Sequence, residues 1–163
     1  MFNIFKVLSD GALLSVLVFS MVLISTRINP RIFLHTYPKD IQDKVAANTQ
    51  NEKLLSRIIG VTILILVTAV PLISSWSLKQ RQHADVSFLP LFLNAFGVVF
   101  LFNLADLLLD CVLVCTLPKF LVLQGTEGMA GYKNYLHHFR GFLIGTIASV
   151  VLGLAVAAVA FVL

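Results

Sequence analysis

Three polar residues stand at helical spacing inside the apolar stretch of residues 88–117, namely Asn103, Asp106 and Asp110. At about 100° per residue they fall within about 60° of one another around a helix axis, whereas Asn94 falls on the opposite face. A carboxylate in hydrocarbon costs roughly 2.5 kcal/mol or more, so it usually faces a protein interior or a wet cavity. The spacing therefore predicts one polar site that binds a cation, a proton or a small polar solute.

Asp106 also permits a purely structural interpretation. Its protonated side chain could form a hydrogen bond with a hydroxyl group on another helix, and Ser15, Ser20 and Thr62 are the candidate partners. Counted from the middle of the stretch, Asp106 lies about 6 Å and Asp110 about 12 Å toward one membrane face. We therefore expect Asp106 inside the hydrocarbon and Asp110 close to the headgroups.

Further titratable groups are predicted on the same side of the membrane as Asp110. Glu127 lies in a glycine-rich segment that lacks the Lys-Ser/Thr ending of a phosphate loop, and His137 and His138 precede the fourth apolar run. Carboxylate and imidazole groups together could bind a ligand, exchange protons or ligate a metal. Sidedness alone does not bring them into contact, so the sequence assigns no metal ligands and no cofactor.

The elements that must carry these residues are membrane helices. Of the 163 residues, 58% are hydrophobic and 12% are charged, against about 25% charged in a typical soluble domain. Four apolar runs occupy residues 7–26, 54–76, 88–117 and 141–163, and each can cross about 30 Å of hydrocarbon. We predict an all-α polytopic membrane protein, in which residues 1–163 form one four-transmembrane-helix bundle.

Lysine and arginine are distributed unequally between the two ends of this bundle. The two long connections and the helix ends beside them hold nine of the twelve, while Lys6, Lys79 and Arg81 belong to the other end. Because cytoplasmic loops are enriched in these residues, we expect both long connections in the cytoplasm and both termini outside, in a plasma membrane (the inner membrane of a bacterium). The net charge of +4 then serves orientation and contact with anionic lipids, and nucleic acid is not an expected partner.

Both long connections carry amphipathic patterns. Residues 38–45 are predicted to form a short helix with Ile41 and Val45 on one face. Thr49 and Glu52 have the spacing of a helix-capping box, so the second membrane helix should begin before the bilayer.

The second connection holds a basic stripe of Lys133, His137 and Arg140, at spacings of four and three residues. If one helix carries all three into the fourth run, they would lie against anionic headgroups, at roughly 1 kcal/mol per basic residue. The alternative is ordinary flanking charge that reaches the interface on long side chains.

Small residues recur at every fourth position along the fourth run. They are Gly141, Gly145, Ser149, Gly153 and Ala157. Such a pattern lets two helix backbones approach closely. It therefore predicts a packing ridge, whose partner is a helix of the same chain, a second copy of the chain or another membrane subunit.

Three classes of function follow from these features. The first is a cytoplasm-facing site at Asn103, Asp106 and Asp110 that binds a cation, proton or small polar solute, with transport as its purpose. The second is a membrane-embedded enzyme acting on a lipid or amphiphilic substrate. The third is an accessory subunit that assembles through the ridge. Four helices enclose only a narrow passage, so transport would require an oligomer.

Overall fold

The four apolar runs form four long α-helices in the computed structural model, which describes residues 3–81 and 87–163. No strand occurs in these two ranges, so the all-α prediction is confirmed. In chain order the helices are α1 (Ile4–Ile28), the single-turn α2 (Lys39–Gln42), α3 (Gln50–Arg81), α4 (Phe88–Thr116) and α5 (Tyr135–Val162). All except α2 are long and apolar enough to cross a membrane. The chain is an integral membrane protein.

Capping residues extend two of these helices beyond the predicted spans. The predicted capping box is confirmed, since Thr49 N donates to Glu52 Oε2 at 2.8 Å and Glu52 N donates to Thr49 Oγ1 at 3.3 Å. The box satisfies first-turn amides of α3 that would otherwise lack partners. Helix α5 begins at Tyr135 because the Asn134 side chain accepts a hydrogen bond of 3.1 Å from a first-turn amide.

Helix α4 occupies the centre of the bundle. It contacts α1, α3 and α5, and its most extensive interface is with α5. The small-residue ridge forms that interface, because a Cβ atom at Gly153 would lie only 3.0 Å from Phe96 Cα. A Cβ atom at Gly141 would meet open space. The ridge therefore packs within the chain along residues 145–157, and any binding of a further subunit by α5 stays a prediction.

The two long connections, residues 29–49 and 117–134, fold against each other into a cap at one end of the bundle. Their buried apolar cluster consists of Leu34, Ile41, Leu123 and Tyr132. Ile41 is fully buried and Val45 packs against the cluster, as the amphipathic pattern predicts, although only one turn of regular helix forms there. Burial of this face holds the cap over the helix ends.

Polar contacts attach the cap to the long helices. Arg31 Nε donates to Glu52 Oε1 of α3 at 2.9 Å, and Arg31 Nη2 donates to the Ala46 carbonyl at 2.7 Å. Leu117 ends α4 in the left-handed region, at φ 37°, which is unfavourable for leucine. Packing of Leu117 against the apolar cluster of the cap offsets that strain.

Candidate ligand-binding cavity

A cavity of about 530 Å³ lies between the helices and the cap. Side chains of α1, α3, α4 and α5 form its walls, and residues of both connections border it. Five of the six predicted ligand-binding residues line it, and they are Asn103, Asp106, Asp110, His137 and His138. The structure thus brings the polar face of α4 and the histidines of α5 to one place.

Asp110 and His138 form a pair that joins α4 to α5. His138 Nδ1 lies 2.7 Å from Asp110 Oδ2. An ionised carboxylate only accepts hydrogen bonds, so Nδ1 carries the proton and donates it. The two side chains remain 23% and 33% exposed, respectively. Because Nδ1 is engaged by Asp110, Nε2 of His138 is the imidazole atom that can exchange a proton with a ligand.

Asp106 has no comparable partner. Its side chain is exposed and lines the cavity, and it accepts no hydrogen bond from residues 3–81 or 87–163. No lysine or arginine of these same ranges lines the cavity. Among the described residues, the cavity therefore contains one carboxylate paired with histidine and one carboxylate without a hydrogen-bond, lysine or arginine partner.

The hydroxyl groups considered as partners of Asp106 bond within their own helices instead. Ser15 Oγ donates to the carbonyl of residue 11 at 2.8 Å, and Thr62 Oγ1 donates to that of residue 58 at 2.9 Å. Ser20 is exposed and does not line the cavity. None of these three hydroxyl groups forms a hydrogen bond with Asp106, so the interhelical bonds considered for it are not present in the structure.

Asn103 forms the wall of the cavity on the α5 side. Its Nδ2 donates to the Phe142 carbonyl and to Thr146 Oγ1, each at 3.1 Å. Its amide oxygen occupies the space that a Cβ atom at Gly145 would need. The glycine thus lets the carboxamide cross between the helices, and Asn103 positions α4 against α5 with both donors used.

His137 connects α5 to the cap. Its Nε2 lies 3.0 Å from the Thr36 carbonyl, which can only accept, so Nε2 carries a proton.

Lys133 belongs to a short 3₁₀ turn, and Asn134 separates that turn from α5. The prediction of one continuous helical stripe from Lys133 through His137 to Arg140 is therefore wrong. Lys133 and Arg140 are exposed, and their contact with headgroups stays a prediction.

Two tyrosines of the cap also line the cavity, although neither is among the six predicted ligand-binding residues. Tyr37 Oη donates to the Leu121 carbonyl at 3.0 Å, and Tyr132 Oη accepts from Leu123 N at 2.9 Å. The two rings meet edge to face at 6.1 Å. Burial raises the pKa of the Tyr37 phenol above its ordinary value, and neighbouring Tyr132 adds to this effect. The sequence signal that could have identified them is the presence of a tyrosine in each long connection.

Glu127 lies outside the cavity. Its carboxylate accepts a hydrogen bond of 3.1 Å from Gly125 N within an exposed turn, where Gly125 and Gly128 have φ values of 82° and 77°. The glycine-rich segment is thus a tight turn that its own glutamate closes. In the described part of the chain, no three His, Cys, Asp or Glu side chains are grouped to hold a metal.

A second cluster of polar side chains is completely buried. Asn94 Nδ2 of α4 donates to Ser74 Oγ at 2.9 Å and to Ser75 Oγ at 3.1 Å, both on α3. These three residues, called the closed cluster below, are at most 2% exposed. Asn94 Oδ1 finds no partner within the described ranges. The sequence placed Asn94 on a different face from Asp106, but it did not reveal the serines.

No family model, curated protein or solved structure matches this chain. Its class is defined by the fold and the site: a small polytopic membrane protein of four long helices, with an acidic cavity under a folded cap.

Proposed function

We propose that the protein binds a small, positively charged solute in the cavity, with Asp106 as the group that recognises the charge. The observation that carries this proposal is that Asp106 lines the cavity without a hydrogen bond or ion pair to any described residue, and that no described lysine or arginine lines the cavity with it. An ion removed from bulk water is costly unless it is paired. A cation bound at Asp106 would supply the missing partner, whereas an anion would be repelled by Asp106 and Asp110.

The dimensions of the cavity favour an organic cation over a bare metal ion. A volume of about 530 Å³ falls in the usual range of small-molecule pockets, roughly 300–1,000 Å³. A hard metal ion would need six or more oxygen ligands, and the walls here are mostly apolar. The rings of Tyr37 and Tyr132 border the cavity, and aromatic faces attract ammonium groups.

The distribution of positive charge supports an orientation with the cap in the cytoplasm. Nine of the twelve lysine and arginine residues belong to the long connections and the helix ends beside them. By the positive-inside rule, the cavity would then take its ligand from the cytoplasmic side of a plasma membrane. The protein could also transport the bound cation as part of an oligomer. Transport would require a second conformation in which the cavity opens toward the other side of the membrane.

A membrane-embedded enzyme is the second candidate, and the Asp110–His138 pair favours it. A carboxylate that holds Nδ1 of an imidazole leaves Nε2 positioned to act as a general base. This function predicts chemical change of the bound ligand, which mass spectrometry of the recovered ligand would detect. Simple binding predicts that the ligand is recovered unchanged, and that His138→Gln, which cannot act as a base, still retains it.

The binding proposal is tested with radiolabelled propylamine and the full chain in lipid nanodiscs. Asp106→Asn keeps the side-chain size and removes the charge, and we expect its affinity for propylamine to fall about tenfold or more, the scale of a lost ionic hydrogen bond. Asp43→Asn is the matched control, because Asp43 is exposed on the cap and does not line the cavity. Equal affinity of both variants and the unmodified protein, measured by equilibrium dialysis, would contradict the proposal.

A further inference from the structure

A groove of about 410 Å³ lies between α4 and α5 on the outer side of the bundle. The residues that border it include Leu107, Cys111 and Val114 of α4 and Leu136, His138 and Phe139 of α5. We call it the outer groove. Its surface is almost entirely apolar, and Leu136 and Phe139 are 56% and 48% exposed. In a membrane these side chains would face lipid.

The outer groove and the cavity share a wall. Leu107, Val114 and His138 border both spaces, so the cavity and the groove adjoin along these three residues. In this shared wall His138 Nδ1 lies 2.7 Å from Asp110 Oδ2. The wall therefore has the Asp110–His138 pair on its cavity side and mostly apolar side chains on its outer side.

We propose that the ligand is a cationic amphiphile, an amine on a single hydrocarbon chain, whose head lies at Asp106 and Asp110 and whose chain lies in the outer groove. This inference rests on the proposed function, because the charged head is the cation assigned to the cavity. An amphiphile dissolved in the bilayer would meet the groove first and reach the carboxylates by passing the shared wall.

Charge complementarity selects this occupant over an ordinary phospholipid. The polar end of the site presents two carboxylates and, within the described ranges, no lysine or arginine. A phosphate group placed there would be repelled, whereas an ammonium group would be attracted. The apolar groove alone would accept any hydrocarbon chain, so the head determines which amphiphile is retained.

The two cysteines of α4 provide an internal test. Cys111 and Cys115 are both exposed. Cys111 borders the outer groove and Cys115 does not, although Cys115 Sγ lies 3.7 Å from the hydroxyl of Tyr135, which does. Two single-cysteine proteins, Cys115→Ser and Cys111→Ser, report on each thiol separately. The measurement is the rate of alkylation by N-ethylmaleimide in nanodiscs, with dodecylamine or propylamine present.

Dodecylamine at about ten times its dissociation constant should slow alkylation of Cys111 about tenfold and leave Cys115 almost unchanged. Propylamine should slow neither thiol, because its chain is too short to enter the groove. Dodecanoate, with a long chain and the opposite charge, should leave Cys111 reactive. Asp106→Asn should remove the protection by dodecylamine.

Leu136→Trp sharpens the test by filling the outer groove. It should abolish protection of Cys111 by dodecylamine and retain binding of propylamine. Ile147→Trp is the matched control, since Ile147 is also exposed on α5 and does not border the groove. We expect it to retain both properties.

The two proposals fail in different ways. If propylamine binds through Asp106 but dodecylamine protects both thiols equally or neither, the chain does not lie in the outer groove and this inference is overturned. It is also overturned if dodecanoate protects Cys111 as well as dodecylamine does. If the protein binds no amine in equilibrium dialysis, the proposed function fails as well.

Discussion

Helix α4 presents polar side chains to two different surroundings. Asn94 meets Ser74 and Ser75 in the closed cluster, where no side chain is more than 2% exposed. Toward the cap, Asp106 faces a cavity and pairs with no described residue. The first group consists of neutral amide and hydroxyl groups that form hydrogen bonds across α3 and α4. The second contains a carboxyl group without a described partner.

We interpret this difference as one between polar groups that join helices and polar groups that are free to bind a ligand. Interhelical hydrogen bonds in membranes contribute on average about 0.6 kcal/mol, so the closed cluster should stabilise the packing of α3 against α4 by about that amount for each bond. A carboxylate without a partner is a cost to the folded chain, and the proposed cation would offset that cost at Asp106. Substitutions in the closed region should therefore alter stability, and those in the open region should alter binding.

The largest effect on stability is expected at the close contact of α4 with α5. Gly153→Leu should lower the free energy of unfolding by about 1–3 kcal/mol or more, because the new side chain would overlap the Phe96 backbone. Gly141→Leu, where nothing lies within 4 Å of the Cβ position, should change it by less than about 0.5 kcal/mol. Unfolding in mixed micelles followed by circular dichroism measures both. A similar loss for the two variants would contradict the ridge assignment.

The two polar regions should respond oppositely to removal of their central residue. Asn94→Leu loses two hydrogen bonds and should cost about 1 kcal/mol of stability, while its affinity for propylamine should change less than twofold. Asp106→Asn should show the reverse, with stability retained and affinity reduced. If Asn94→Leu abolishes binding and Asp106→Asn unfolds the chain, the assignment of roles is wrong.

A stability effect of similar size to that of Asn94→Leu, but dependent on pH, is expected in the cap. Because burial raises the pKa of Tyr37 above its unfolded value of about 10, the folded chain holds this proton more tightly than the unfolded chain. The resulting stabilisation is complete below about pH 10 and is lost as the pH rises toward the folded pKa. Tyr37→Phe should remove this part of the pH dependence and cost about 1 kcal/mol through the lost hydrogen bond to Leu121. Unfolding measured from neutral pH to about pH 11 tests both.

The four long helices and the polar face of α4 could be predicted because they depend on local properties, namely apolar length and helical period. The capping box of Thr49 and Glu52 was also local and is confirmed. The interruption of the basic stripe between Lys133 and His137 follows from a local signal that was missed. Asparagine is a common helix-capping residue, and the Asn134 side chain accepts a hydrogen bond from His137 N. Recognising Asn134 as a cap would have placed Lys133 outside α5.

Other contacts depend on how distant segments meet. His138 and Asp110 are 28 residues apart, and Asn94 and Ser74 are 20 apart. Their pairing depends on the relative depth and rotation of two helices. The hydrophobic period of a single helix specifies neither of these. The cap is similar, because Tyr37 meets the carbonyl of Leu121 across 84 residues. The helix face of each polar residue was thus predictable, whereas its partner was not.

The central claim is that Asp106 faces an accessible cavity while Asn94 is sealed. It is tested by Asp106→Cys and Asn94→Cys, each in a chain whose two native cysteines are replaced by serine, with a water-soluble thiol reagent added at the cap side. We expect the thiol introduced at position 106 to react at least about tenfold faster than the one at position 94, as thiol reactivity follows exposure. Equal rates, or faster reaction at position 94, would contradict the account.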